Sequence, residues 1–161
     1  MSTVLRNPIV GANQKTAVLD IVEQFNEVEC RFDLEIERCV LTMKRSAPLC
    51  FSQAMLSELN SIAEIHRQAS GYPVRFRVLA SQRQKVFALG GDLSFFKQCI
   101  ESRDEKSLAN YARKAVDLIW ESLSGSGRAE MLTISLVQGD AQGGGFEAAL
   151  AGHILVAERN A

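Results

Sequence analysis

From Glu29 the chain alternates with period two: Arg31, Asp33, Glu35 and Glu37 fall on one side, Phe32, Leu34 and Ile36 on the other. Successive side chains of a strand point to opposite faces, so this run predicts a half-buried strand with a solvated, charged outer face. Residues 39–43 either extend it or begin a paired strand. Upstream, Leu19, Val22 and Phe25 keep a weak helical spacing across 17–25. Downstream, Ser46-Ala47-Pro48 is a break, and Ser52 is placed to cap a helix running to Ala69, with Met55, Leu59, Ile62 and Ile65 on one side. His66 lies near the end of that helix, where a cationic imidazole would complement the dipole. Gly71-Tyr72-Pro73 marks a turn, and 74–80 reads as the next strand.

The strand–strand–helix order then recurs. Residues 85–89 lead into Gly90-Gly91, a helix begins near Leu93, and 101–123 has helical character. Ser124-Gly125-Ser126-Gly127 is a turn and 131–137 a buried strand, followed by a glycine cluster, a short helix and a strand over 153–157. The pattern predicts an α/β fold. Residues 1–16 are expected to be a flexible N-terminal segment, with one domain over 17–161. The chain stops straight after a strand pattern, so it reads as a fragment.

A chain of 161 residues has the length of one ordinary domain and, with 47% hydrophobic and 23% charged residues, enough apolar surface for a core. Eighteen basic and nineteen acidic side chains give a formal charge of −1, which offers no attraction for nucleic acid or an anionic membrane. No run of about 18 apolar residues is present to span a bilayer. Met1 to Asn13 lacks the apolar stretch of a secretory signal, so a cytoplasmic location is expected. Cys30, Cys39, Cys50 and Cys99 show no C-x-x-C spacing and read as scattered thiols of a reducing compartment, not as metal ligands or a disulfide framework.

The chemistry concentrates at two glycine turns. Gly90-Gly91-Asp92-Leu93 follows an apolar run, and Asp92 is placed to cap the helix that begins near Leu93. More specific is Val137-Gln138-Gly139-Asp140-Ala141-Gln142-Gly143-Gly144-Gly145-Phe146-Glu147-Ala148-Ala149-Leu150. Three consecutive glycines weaken a helix start by about 1 kcal/mol each unless something compensates, either close backbone packing or a ligand reached by backbone N–H groups. Glu147 sits in the first turn, positioned for acid-base work or merely for the helix dipole. His153 sits in a strand pattern and reads as a core histidine, and Asp140 as a turn residue. The phosphate-binding G-x-x-x-x-G-K-[ST] pattern fails because Gly145-Phe146 stands where lysine and hydroxyl belong, and the dinucleotide G-x-G-x-x-G order is not met.

Taken together, Phe87-Ala88-Leu89-Gly90-Gly91-Asp92-Leu93 and the stretch from Val137 to Leu150 resemble the two motifs of the crotonase (enoyl-CoA hydratase) superfamily. The resemblance implies a crotonase-like ββα spiral core, of which this chain would be the N-terminal part. It also implies an oxyanion hole over a thioester carbonyl, with the N–H groups of Gly91 and Gly144 as donors. Leu89, Gly90 and Gly143 would lie against the substrate, and Glu147 falls on the first of the hydratases' two catalytic glutamates. Within the superfamily, Val78-Leu79-Ala80-Ser81, Val86-Phe87, Leu89 to Leu93, Tyr111-Ala112 and Val137 to Gly139 with Gly143 to Leu150 are similar to the diffusible signal factor synthases. That similarity runs from about Val74 to Ala157 and is loose around Cys50-Phe51-Ser52.

The synthase resemblance implies dehydration of 3-hydroxyacyl thioesters of acyl carrier protein or CoA, then thioester hydrolysis to a free cis-2-unsaturated quorum-sensing acid. It implies no cofactor or metal beyond the thioester itself, and a trimer or hexamer of like chains. The family's second glutamate stands in a Pro-Glu motif a little beyond Ala161, and Glu158 comes too early to replace it. An ordinary hydratase or isomerase of fatty-acid metabolism, or a non-catalytic crotonase-like piece, are the alternatives.

Overall fold

The alternating run does not make one long strand. In the computed structural model, which describes residues 25–33, 35–68, 74–159 and 161, it folds back on itself. Strand β1 (Val28–Asp33) and strand β2 (Arg38–Met43) pair antiparallel from Val28↔Met43 to Asp33↔Arg38. Glu37, at φ 53°, occupies the turn, and its carbonyl accepts from the N–H groups of Arg75 (2.7 Å) and Phe76 (3.1 Å). The reversal lets Cys39, Leu41 and Met43 go into the core while Ile36 stays out. Alternation alone continues across such a turn and cannot show it.

Helix α1 (Gln53–Gln68) starts where Ser52 predicts: the Ser52 hydroxyl accepts from Met55 N–H at 3.0 Å. Met55, Leu59 and Ile62 are buried on one face, each worth about 1.5–3 kcal/mol of burial. Glu58 of the same helix takes the N–H groups of Asn26 (2.7 Å), Glu27 (3.1 Å) and Val28 (2.8 Å), anchoring the start of β1. His66 does not serve the dipole as a cation. It is 0% exposed, edge-on to the Phe32 ring at 6.1 Å, and burial together with Arg77 and Arg128 lowers its pKa to about 3. A neutral imidazole results.

Strand β3 (Phe76–Ser81) leads to β4 (Lys85–Ala88), then α2 (Leu93–Ser102) and α3 (Glu105–Leu123). The helical stretch expected from 101 is broken, because Arg103 adopts the left-handed conformation at φ 55° and Asp104 caps α3 by accepting from Ser107 N–H at 3.0 Å. A short 3-10 turn (Gly125–Gly127) precedes β5 (Leu132–Val137), β6 (Gly139–Ala141), α4 (Gly144–Leu150) and β7 (Ile154–Ala157). A ββα order thus repeats three times. The helix proposed over 17–25 and the Gly71-Tyr72-Pro73 turn lie outside the described residues, apart from Phe25.

Two sheets organise these elements. Five strands run in the order β1-β2-β3-β5-β7, antiparallel at β1/β2 and parallel thereafter; β4 and β6 form a separate parallel pair. The core lies between the larger sheet, α1 and α3, around Met43, Leu59, Leu79 and Leu118. The hairpin brings Cys30 and Cys39, nine positions apart, to 3.6 Å between sulfurs, so two of the four thiols are neighbours; all four are free. Among the described residues no helix is long and apolar enough to cross a membrane.

Candidate active site

The parallel pairing of β4 and β6 sets their exits side by side. Lys85 faces Gly139, Val86 faces Asp140, and Ala88 faces Ala141 after a register shift. Gln142 N–H donates to Ala88 carbonyl at 2.9 Å, which holds the second turn against the first. Gly145 permits the contact, since a Cβ there would lie 2.1 Å from the Ala88 carbonyl oxygen. Gly90 takes φ 91°, and a Cβ on it would lie 3.0 Å from the Gln142 carbonyl oxygen. Close packing therefore accounts for part of the glycine cluster, but not for Gly144, whose nearest neighbours would stand 3.8 Å or more from an added Cβ.

A strap over residues 48–51 runs beside the first turn. Leu89 N–H donates to Leu49 carbonyl at 2.8 Å, and Phe51 N–H donates to Gly90 carbonyl at 2.8 Å. The C=O and N–H of a trans peptide point in opposite directions. With the Gly90 carbonyl tied to the strap, the N–H of Gly91 is aimed away from it. At the second turn the Gly143 carbonyl accepts from Phe146 N–H (2.9 Å) and Glu147 N–H (3.1 Å), which turns the Gly144 N–H outward from α4. Among the described residues, neither N–H donates to a protein acceptor. Helix α4 has only seven residues, so these two local N–H groups matter more than its dipole.

The two donors and the Glu147 carboxylate lie close together. Measured from the position a Cβ on Gly144 would take, Gly91 N is 3.9 Å away and Glu147 Oε2 is 4.0 Å away. Gly91, Gly144 and Glu147 all line a cleft of about 470 Å³ whose other walls include Phe51, Leu56, Phe96, Tyr111, Ala115 and Ile119. Tyr111 is its polar buttress. Its hydroxyl accepts from Asp92 N–H at 3.1 Å and donates to the Phe51 carbonyl, bridging turn and strap. Burial raises its pKa, against the pull of the Asp92 N–H, so the neutral hydroxyl persists as donor. An apolar cleft closing on two free N–H donors and one carboxylate can bind an acyl group and stabilise negative charge on its carbonyl oxygen.

The remaining residues singled out by sequence sit as follows. Asp92 caps α2, accepting from Phe95 N–H at 3.0 Å. Gly90 and Gly143, with positive φ of 91° and 49°, shape the turns without lining the cleft, and Leu89 is held through its backbone with its side chain outside it. His153 is not a core histidine: it is exposed at the bend before β7, and its Nδ1 accepts from Thr133 N–H at 3.1 Å. Asp140 belongs to the short strand β6. The strap and the bridging role of Tyr111 escape sequence reasoning, because both consist of contacts between residues 19 to 60 positions apart.

The sequence model of the enoyl-CoA hydratase/isomerase family matches residues 35–161. No curated protein is similar enough in sequence to match. Among solved structures, an enoyl-CoA hydratase from Shewanella pealeana superposes with a TM-score of 0.71 at 22% identity, over 93% of this chain and 52% of its own. A putative enoyl CoA hydratase/isomerase (crotonase) from Legionella pneumophila gives 0.65 at 25% identity over 83% and 48%, and an enoyl-CoA hydratase from Bacillus anthracis 0.68 at 20% over 84% and 49%. The chain spans about half the length of these structures. A family match that takes in both glycine turns and Glu147, joined to the same ββα architecture, shows that the chain belongs to the enoyl-CoA hydratase/isomerase (crotonase) family.

Proposed function

We propose that the cleft binds the acyl group of a thioester, of CoA or acyl carrier protein, and activates the carbon next to its carbonyl. The observation that carries this reading is the convergence of Gly91 N–H, Gly144 N–H and the Glu147 carboxylate at one end of an apolar cleft. For a 3-hydroxyacyl thioester, the proton next to the carbonyl leaves to a base and its electron pair moves toward the carbonyl. The oxygen, now carrying enolate charge, rests on the two donors, each worth on the order of 10²–10³ in rate. The pair then forms the 2,3 double bond as the 3-hydroxyl departs with a proton as water. Glu147 carries one of these proton transfers, a contribution on the order of 10²–10⁴. The chain's own groups supply donors and carboxylate, so the chemistry calls for no cofactor.

The finer reading is a signal synthase. The same hole serves hydrolysis, because water adding to the carbonyl carbon puts a tetrahedral oxyanion at the same oxygen before the C–S bond breaks and the thiol leaves with a proton. The motif similarity between Val74 and Ala157 supports this outcome, a free cis-2-unsaturated acid, over simple hydration. A homo-oligomer acting in the cytoplasm completes the proposal; exposed Phe146, Leu150, Ile154, Leu155 and Val156 on α4 and β7 suit a face covered in an assembly. The test incubates the full-length protein with medium-chain 3-hydroxyacyl carrier protein and follows products by mass spectrometry. Free 2-unsaturated acid supports the synthase; an unsaturated product still on its carrier contradicts it and supports a hydratase-type enzyme.

A further inference from the structure

Arg83 is a cation buried to 4% exposure, and among the described residues none of its hydrogen bonds goes to a carboxylate. A charge held in that way is costly to bury unless hydrogen bonds surround it. They do: its guanidinium donates to the Pro48 carbonyl, to the Phe87 carbonyl at 3.0 Å, to Ser81 Oγ at 3.2 Å, and contacts Met43 Sδ at 2.9 Å. Ser81 Oγ also accepts Arg83 N–H at 3.1 Å and donates to the Val86 carbonyl at 2.9 Å. The arginine thus sits where the 48–51 strap meets β4, just upstream of the oxyanion turn.

At Pro48 the link between strap and β4 is a side chain, the Arg83 guanidinium, which takes the Pro48 and Phe87 carbonyls. The planar fork of Arg83 spans the two carbonyls at once. The next rungs are backbone pairs, Leu89 N–H to Leu49 carbonyl and Phe51 N–H to Gly90 carbonyl, and the last of these sets the direction of the Gly91 N–H. We propose that Arg83 is a positioning residue for the oxyanion hole: by clamping Pro48 to Phe87 it fixes the strap whose Phe51 N–H aims the Gly91 donor. This rests on the thioester reading of the cleft. It assigns to a residue outside the cleft a share of the charge stabilisation inside it.

The test compares wild type, Arg83→Lys and Arg83→Met in the full-length protein. Turnover of a medium-chain 2-enoyl-CoA is measured per folded enzyme, alongside the infrared carbonyl stretch of a bound, carbon-13-labelled acyl-CoA. A misaimed donor lowers kcat by at least about tenfold with KM changed little, and moves the carbonyl stretch back toward its free value, in Arg83→Met. Arg83→Lys, which keeps the charge but not the fork, falls between Arg83→Met and wild type. Unchanged kcat and carbonyl stretch in folded Arg83→Lys and Arg83→Met overturn the proposal; if Arg83→Met does not fold, the lysine variant alone decides. A wild-type protein that binds the acyl-CoA without shifting its carbonyl stretch instead removes the oxyanion hole itself, and Arg83's role with it.

Discussion

Phe51 N–H meets the Gly90 carbonyl at 2.8 Å, and through the planarity of one peptide this bond orients the N–H of Gly91. A donor of the cleft is therefore aimed by a residue some forty positions earlier in the chain. The second donor, Gly144, is aimed differently, by the hydrogen bonds of the helix it begins. Two unrelated local structures meet because β4 and β6 pair in parallel and end at the same place.

Replacing Gly144 by proline removes one donor with little harm to the helix. Proline is tolerated at the first helical position, where its missing N–H has no helical partner. We expect kcat for acyl thioester conversion to fall by on the order of 10²–10³ with the protein still folded. Steady-state kinetics with circular dichroism checks this, and an active, folded Gly144→Pro protein removes Gly144 from the hole.

Glu147→Gln keeps the shape of the side chain and takes away the carboxylate. The expected result is a loss of at least about a hundredfold in turnover, with acyl thioester binding retained by calorimetry. Turnover within a factor of a few of the parent shows that Glu147 moves no proton.

Tyr111→Phe removes the hydroxyl bridge between strap and turn, since Asp92 N–H and the Phe51 carbonyl both lose the tyrosine as partner, while the backbone pairs Leu89–Leu49 and Phe51–Gly90 remain. Burial of the ring against Phe95 and Phe96, at centroid distances of 5.6 and 4.9 Å, is kept. The expected cost is about 1–3 kcal/mol in stability, read by denaturant unfolding, with kcat reduced more than KM is raised. A variant as stable and as active as wild type contradicts the bridging role.

His66 makes stability depend on pH. Its folded pKa, lowered to about 3 by burial and by Arg77 and Arg128, lies below the ordinary 6.5 of the unfolded chain. Protons therefore bind the unfolded state first. The stabilisation is complete above about pH 6.5 and is lost as pH falls from there toward 3, at up to about 1.4 kcal/mol per unit. Unfolding titrations of wild type and His66→Leu over this window measure the difference, and parallel curves contradict a buried neutral His66.

What the chain's letters reveal depends on how local the cause is. The glycine turns, Asp92 as a cap and Glu147 in the first turn of α4 are short-range patterns, and the structure gathers Gly91, Gly144 and Glu147 at one cleft. Ser52 as the cap of α1 is equally local. For residues 39–43 the sequence leaves two readings, an extension or a paired strand, and the structure shows the paired strand. Alternation persists through a hairpin turn and does not choose between them, whereas burial of Cys39, Leu41 and Met43 does. At His66, helix position favours a cation, and tertiary burial overrides it. The strap, Tyr111 and Arg83 act across 19 to 60 positions, through carbonyls and one hydroxyl that no spacing rule marks.

The most direct test of the central claim asks whether the cleft stabilises an enolate. The full-length protein is incubated in deuterium oxide with a saturated medium-chain acyl-CoA, which has no hydroxyl to lose, and the thioester is weighed by mass spectrometry over time. The account predicts deuterium entering the carbon next to the carbonyl faster than without protein, and little such gain with Gly144→Pro. A bound acyl-CoA that exchanges no faster than it does free in solution contradicts it.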